Sequence, residues 1–182
     1  IFTYKQIAPF LMKIDVKKVR DQWESYLIDV VDGHLVIAGS DKRGTIYGIY
    51  DISERIGVSP WYWMADVPVR HQEELYYEGG TFIQPSPKVK YRGIFINDEW
   101  PSFGTWCNNN FGGVNAKAYY HIFELLLRLK ANYFWPAMWA TAFNEDDPES
   151  PRLADEMGIV MGTSHHEPMM RSHQEYLHRK EQ

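Results

Sequence analysis

Apolar residues in the second half of the chain form three short runs that are typical of buried β-strands. The runs cover residues 91–97, 132–139 and 158–164. Between the first two runs, apolar side chains recur every three or four positions from Tyr119 to Leu129, which is the spacing of a helix with one buried face. This alternation of strands and helices indicates parallel βαβ units with right-handed crossovers.

The segments around these runs are predicted as loops and further helices. Asn115 has the side chain of an N-cap, and the helix after it is expected to end near Lys130. Residues 100–113 are polar and rich in glycine, so they are predicted to form a loop whose side chains are free for chemistry. A short helix is expected at 151–157, a basic helix at 169–180, and a solvated charge run at 144–147.

The first half of the chain predicts a different kind of sheet. Residues 26–31 and 34–38 are rich in β-branched side chains, and the pair Asp32–Gly33 between them is typical of a type I′ hairpin turn. Helical spacing follows over roughly residues 44–56, and a weaker helical pattern precedes the hairpin at residues 16–23. The order β-β-α indicates a small α+β domain.

Two prolines, Pro85 and Pro87, interrupt regular structure where the two patterns meet. We therefore predict an α+β domain over residues 1–85 and a separate α/β domain over residues 86–182. The glycine-rich approach to the first helix, with Lys42 and Arg43, has two interpretations: a tight strand-to-helix turn, which we favour, or an anion cradle at a helix N-terminus.

Charge and composition exclude several classes of partner. The formal charge of −5 and the isoelectric point near 5.8 argue against a nucleic-acid backbone as a ligand. No run of about 18 apolar residues is present to span a membrane, and the first residues do not resemble a signal peptide. The one cysteine, Cys107, allows no internal disulfide and no multi-cysteine zinc site. Aromatic residues make up 15% of the chain and are common both in cores and on sugar-binding faces.

Candidate site residues follow the three predicted strands. Asp98 and Glu99 end the first strand, Trp135 and Trp139 lie in the second, and the third leads into the histidines and the acid at residues 165–167. Because the carboxyl ends of parallel strands meet at one edge of a sheet, these residues are expected to lie together. Alternation along the first strand allows only one of its two acids to point inward, unless the strand ends early.

Three interpretations of these residue types are considered. His165, His166 and Glu167 have side chains that can bind a metal, but adjacent residues on a strand point in opposite directions, so this metal-site signal is weak. A pair of carboxyl groups next to tryptophans favours glycoside hydrolysis, in which two acids flank the bond that is cleaved. In a third interpretation, Asp98 and His166 only satisfy hydrogen bonds at the strand ends.

Three motifs follow one another along the chain: YRGIFINDE at 91–99, NYFWPAMW at 132–139 and GTSHHEPM at 162–169. In this order they resemble the successive barrel strands of glycoside hydrolase family 115, the xylan α-1,2-glucuronidases. Upstream, WESYLI at 23–28 and GSDKRGTIYG at 39–48 are similar to the α+β domain that precedes the barrel in this family. The resemblance covers nearly the whole chain.

The resemblance implies an inverting enzyme that removes glucuronic or 4-O-methylglucuronic acid from glucuronoxylan or aldouronic oligosaccharides, without cofactor or metal. Residues 86–182 would be the first three units of a (β/α)₈ barrel, which the remainder of the chain must close, so this fragment alone should be inactive. The family resemblance also suggests a periplasmic or extracellular location and is compatible with a homodimer. Asp98 and Glu167 are carried over as the candidate catalytic pair, although one catalytic carboxyl is expected beyond Gln182. The residues carried over as substrate-binding are Glu99, Trp135, Trp139, His165, His166 and Arg92.

Two alternatives remain open at this stage. The aromatic richness is also typical of a non-catalytic carbohydrate-binding module. The histidines and the acid at 165–167 are also compatible with a metal-dependent hydrolase.

Overall fold

The computed structural model describes residues 13–163 and 167–180, and the chain divides into two compact units between Lys90 and Tyr91. The predicted domain boundary at residues 85 and 86 lies close to this division.

The first unit is built on the predicted hairpin. Strand β1 (Tyr26–Val31) pairs antiparallel with β2 (His34–Gly39), and a short strand β3 (Phe82–Gln84) pairs antiparallel with the other edge of β1. Both turn residues have positive φ, 52° at Asp32 and 76° at Gly33, as a type I′ turn requires. The hairpin prediction is therefore confirmed.

Helix α1 (Lys42–Arg55) packs on one face of this sheet. A Cβ atom at Gly48 would lie 2.5 Å from the Cγ2 atom of Ile37, so glycine is needed for the helix to approach the sheet this closely. The opposite face of the sheet carries a core of apolar side chains. These are Ile14, Val19, Leu27, Val31, Val36 and Ala38.

The start of α1 is closed by an acidic side chain. Asp41 accepts hydrogen bonds from the backbone of Gly44 at 2.7 Å and of Glu24 at 2.9 Å, and Arg43 forms an ion pair with Glu24 at 2.5 Å. These contacts support the tight-turn interpretation over an anion cradle. The helical pattern at residues 16–23 yields only a 3₁₀ turn, Val16–Lys18, because Asp21 has a φ of 60° and breaks the helix.

The second unit contains a parallel sheet of three strands in sequence order. Strand β4 (Gly93–Asn97) pairs in parallel with β5 (Tyr133–Ala137), which pairs in parallel with β6 (Val160–Met161). The predicted parallel βαβ arrangement is therefore confirmed, although the third strand has two residues rather than the predicted seven.

Four helices accompany these strands: α2 (Phe103–Phe111), α3 (Ala116–Arg128), α4 (Glu149–Met157) and α5 (His173–Lys180). The predicted N-cap of α3 is confirmed, since the Asn115 side chain accepts from the backbone of Lys117 at 3.0 Å. Gly158 ends α4 in the left-handed conformation, with a φ of 79°.

The prediction of an open loop over residues 100–113 was wrong, because most of it is helix α2. Phe103, Trp106 and Phe111 form an aromatic row with ring centroids 5.8 and 5.4 Å apart, and Cys107 is fully buried. Three asparagines and a glycine make this a weak helix by propensity. Packing of the aromatic and cysteine side chains outweighs that propensity.

The two faces of the parallel sheet differ in how they are covered. On one face, Phe134 of β5 is fully buried against Tyr119 and Phe123 of α3, at centroid distances of 5.8 and 5.7 Å. On the other face, Phe95 and Trp135 are 46% and 41% exposed. Among the described residues, no helix is long and apolar enough to cross a membrane.

Candidate functional site

Asp98 directly follows strand β4 and is almost completely buried, at 2% exposure. Its Oδ1 atom accepts a hydrogen bond from the backbone of Trp139 at 3.1 Å. Its Oδ2 atom accepts from the backbone of Ala140 at 2.9 Å and from both the backbone and the hydroxyl of Thr141, at 2.8 and 2.7 Å. Both carboxylate oxygens are therefore engaged by the segment that follows strand β5.

Glu167 follows β6 by six positions in the sequence and contacts the same segment. It is 1% exposed, and its Oε1 atom accepts a hydrogen bond from the backbone of Met138 at 3.2 Å. Four consecutive backbone amides, those of residues 138–141, thus donate to the carboxylates of Asp98 and Glu167. We call residues 138–141 the amide loop.

The carbonyl groups of the amide loop are also held. The buried hydroxyl of Ser172 lies 3.2 Å from the carbonyl oxygen of Met138 and 2.8 Å from that of Thr141. The side-chain amide of Gln174 donates to the carbonyl oxygen of Trp139 at 3.1 Å. The backbone of Trp139 is therefore bound on both sides, while its indole is 53% exposed.

The acid next to Asp98 lies in a different environment. Glu99 is exposed, and its carbonyl oxygen accepts from the backbone of Gly104 at 3.1 Å at the start of α2. Asp98 is instead close to Tyr119 of α3, and burial followed by the charge of Asp98 raises the pKa of the Tyr119 phenol. One acid thus faces the helices and the other faces solvent, although β4 ends at Asn97 and neither acid lies within the strand.

Trp135 lies in the middle of β5 rather than at its end. Its ring meets that of Phe95 edge-on, with centroids 5.5 Å apart, on the exposed face of the sheet. Trp135 therefore belongs to the uncovered sheet face, whereas Trp139 belongs to the amide loop.

Arg92 is separated from the other predicted site residues. It precedes β4, and its Nε and Nη2 atoms both donate to the carbonyl oxygen of Lys130, at 2.9 and 2.6 Å. The amino end of a parallel strand lies at the opposite edge of the sheet from the carboxyl end, so the predicted contact of Arg92 with substrate loses its geometric basis.

The two predicted histidine ligands, His165 and His166, lie outside the described residues. Within residues 13–163 and 167–180, no group of three or more His, Cys, Asp and Glu side chains could hold a metal ion.

Sequence reasoning missed the groups that complete the amide loop. Thr141, Ser172 and Gln174 belong to no motif, and only the position of Thr141 just after the second strand could have drawn attention to it. The charge run at 144–147 also does more than predicted, because Asp147 accepts from the backbone of Ala116 at 2.8 Å and of Glu149 at 3.0 Å.

An open groove of about 650 Å³ lies elsewhere in the second unit, between helices α2, α3 and α4. Phe111, Tyr120, His121 and Leu153 contribute to its lining, and none of the predicted site residues does. The residues predicted as the site therefore lie outside this groove.

Comparisons with known proteins show related proteins of much greater length. Residues 84–182 match the model of glycosyl hydrolase family 115. Across 94% of this chain, the structure is similar to BtGH115A, a family GH115 4-O-methyl-α-glucuronidase with specificity for decorated arabinogalactans, with 39% sequence identity and a TM-score of 0.84. The chain covers only 24% of BtGH115A. A search of curated proteins gave no match.

Two more distant structures were also found. One is a chitobiase from Flavobacterium johnsoniae, with 15% identity, a TM-score of 0.49, and coverage of 80% of this chain and 22% of that one. The other is a β-N-acetylhexosaminidase from Bacteroides fragilis, with 19% identity, a TM-score of 0.46, and coverage of 82% and 31%. The family match spans more than half of the chain, which therefore belongs to glycosyl hydrolase family 115.

Proposed function

We propose that this chain is part of an α-glucuronidase that removes glucuronic or 4-O-methylglucuronic acid side chains from a polysaccharide. The observation that carries the proposal is the convergence of three strand ends on the amide loop with its exposed Trp139, in a chain that belongs to family 115. BtGH115A, which matches nearly the whole chain, acts as a 4-O-methyl-α-glucuronidase.

The proposed architecture is an α+β domain up to about residue 85, followed by the first three units of a (β/α)₈ barrel. Three parallel strands lie in sequence order, and right-handed crossovers in one direction place their helices on one face of the sheet. A doubly wound sheet would instead have helices on both faces. Because parallel sheets are normally buried on both faces, the exposed Phe95 and Trp135 support closure of a barrel by the rest of the protein.

The proposed substrate contacts lie at the carboxyl ends of the strands. The exposed indole of Trp139 offers a flat surface for a sugar ring, and the exposed Glu99 offers a carboxylate for its hydroxyl groups. His165 and His166 remain predicted substrate-binding residues. The uronic acid also requires a cationic or donor group, and Arg171 near this edge already pairs with Glu175 at 3.1 Å.

The proposed reaction is hydrolysis with inversion. One carboxylic acid protonates the oxygen of the bond that is cleaved, and a carboxylate roughly 6.5–9.5 Å away removes a proton from the attacking water. The sequence offers Asp98 and Glu167 as candidates within this chain. The four donors on Asp98 favour Glu167, and its partner is expected in the rest of the protein. Glu167→Ala should lower the rate at least about a hundredfold if it acts as acid or base.

The identity of the polysaccharide that carries the uronic acid also needs a test. The resemblance noted in the sequence favours glucuronoxylan, whereas BtGH115A has specificity for decorated arabinogalactans. Incubation of the full-length protein with an aldouronic oligosaccharide and, separately, with a glucuronic-acid-decorated arabinogalactan tests both. Release of the uronic acid from either supports the proposal, and NMR detection of the β-anomer first would establish inversion.

A carbohydrate-binding module is the alternative function, favoured by the exposed rings of Phe95, Trp135 and Trp139. Calorimetric binding of the oligosaccharide without release of uronic acid would support this alternative and would contradict the glucuronidase.

A homodimer is a further proposal, which light scattering of the full-length protein would test.

A further inference from the structure

The amide loop has a hydrogen-bonding requirement that the sheet does not meet. Strand β5 pairs with β4 only as far as Ala137, and the amide loop begins at the next residue. Four consecutive amides of the amide loop therefore need acceptors, and an unpaired amide away from water costs about 1–3 kcal/mol. Asp98 supplies acceptors for three of these amides, and Glu167 supplies one for the fourth.

Asp98 is poorly placed for proton transfer to a substrate. It is 2% exposed and lies on the side of the sheet where Tyr119 packs, while the adjacent Glu99 is exposed. An ionised carboxylate only accepts hydrogen bonds, and four donors already converge on Asp98. To take or give a proton it would have to break bonds that hold the amide loop.

Asp98 also lies next to the helix layer. The Thr141 hydroxyl binds Oδ2 of Asp98 at 2.7 Å, and Asp98 is close enough to Tyr119 of α3 for its charge to help raise the pKa of the buried phenol. Tyr119 is packed between Phe123 and Phe143, with centroid distances of 5.9 and 5.0 Å. Asp98 thus lies between the amide loop and a buried aromatic cluster.

We infer that Asp98 is a positioning residue, which fixes the amide loop so that Trp139 stays at the strand ends, and that Asp98 does not itself transfer a proton. This inference rests on the proposed function for its kinetic consequences. Its structural consequence, that loss of the Asp98 carboxylate loosens residues 139–141, is independent of the reaction.

Two substitutions at Asp98 separate positioning from proton transfer. Asp98→Asn keeps a carbonyl oxygen that can still accept from Ala140 and Thr141, but it cannot act as an acid or a base. Asp98→Ala removes all four bonds. We expect Asp98→Asn to keep kcat/KM within about tenfold of wild type, and Asp98→Ala to lose at least about a hundredfold. Both limbs of the pH profile of kcat/KM should persist in Asp98→Asn.

Hydrogen exchange of the full-length protein tests the loop itself, whether or not uronic acid is released. In Asp98→Ala, the amides of residues 139–141 should exchange at least about tenfold faster than in wild type. Asp147→Ala is the matched control, because Asp147 also accepts from two backbone amides in the same unit. It should speed exchange at Ala116 and Glu149 only.

Two results would overturn the inference. One is an Asp98→Asn enzyme as inactive as Asp98→Ala with one limb of the pH profile missing, since this identifies Asp98 as an acid or base. The other is wild-type exchange at 139–141 in Asp98→Ala. If Asp98→Ala does not fold, Thr141→Val serves instead, and unchanged exchange at 139–141 in that variant would equally overturn the inference. An inactive wild-type protein with faster exchange in Asp98→Ala would contradict the proposed function and leave the positioning role supported.

Discussion

The carboxylate of Asp98 accepts two hydrogen bonds from Thr141, at 2.8 Å from its backbone amide and 2.7 Å from its hydroxyl. The two residues are on successive loops at the carboxyl ends of adjacent parallel strands. Their contact therefore fixes the position of one loop relative to the other. In an enzyme whose substrate binds at these strand ends, such a contact determines the shape of the site.

Replacement of Thr141 by valine should loosen this contact without changing the size of the side chain. Loss of the hydroxyl removes one buried hydrogen bond to a carboxylate, which is worth about 1.5–3 kcal/mol. The expected result is a decrease of this size in the opening free energy of residues 139–141, measured by native-state hydrogen exchange.

Thr81→Val is the control, because its hydroxyl binds Asp29 at 2.5 Å in an exposed position. Its effect on local stability should stay within about 0.5 kcal/mol. Equal effects of the two substitutions would show that burial of the Asp98 contact has no energetic importance.

Trp139→Ala should raise KM and leave kcat nearly unchanged. The indole is 53% exposed on a backbone held from both sides, so its removal takes away binding surface without altering the reacting groups. Initial rates over a range of aldouronic oligosaccharide concentrations would measure both constants. Trp61→Ala, which removes another partly exposed indole in the first unit, should leave both constants unchanged. A large loss of kcat with constant KM in Trp139→Ala would argue against a binding role.

Cys107 should resist thiol reagents in the folded protein. Its side chain is fully buried in α2, and burial raises the pKa of the thiol to about 11. Because the raised pKa keeps the thiol protonated in the folded state, its contribution to the free energy of unfolding is complete below the pKa of the unfolded thiol, near 8.5–9. Above that pH the unfolded chain loses the proton first, so this contribution is lost as the pH rises towards 11. Peptide mapping after iodoacetamide treatment at pH 8 should find Cys107 unmodified until urea is added. Rapid modification of the native protein would show that α2 opens readily.

His121 should make the second unit less stable in mild acid. Burial lowers its pKa, with an opposing effect from Glu124, so the folded state favours the neutral ring. The unfolded chain then binds more protons below about pH 6.5, and stability that is present above that pH is lost as the pH falls. Thermal unfolding at pH 7.5 and 5.5 should therefore show a smaller difference in His121→Gln than in wild type. The exposed His34→Gln should behave as wild type.

Sequence patterns predicted the elements whose local chemistry and packing agree. Asp32–Gly33 has the turn residues that a type I′ hairpin requires, and Asn115 is the N-cap it was predicted to be. Helix α2 was missed because its asparagines and glycine have low helix propensity, and aromatic packing decides its structure. The site shows a similar limit. The sequence placed Asp98 at a strand end, but which side of the sheet it faces and which four donors it meets depend on the neighbouring loop.

The fragment of residues 1–182, produced alone, should have no glucuronidase activity. Three strands cannot close a barrel, and β6 would expose an edge that a fourth strand normally pairs. The exposed Phe95 and Trp135, whose rings are 5.5 Å apart, would face water instead of a barrel interior, so the fragment should bind a hydrophobic dye more strongly than the full-length protein. Uronic acid release and dye fluorescence, measured side by side on both proteins, test the two expectations. If the fragment cleaved an aldouronic acid at a rate that Glu167→Gln abolished, both catalytic groups would lie within these residues, and the remainder of the barrel would be needed for stability alone.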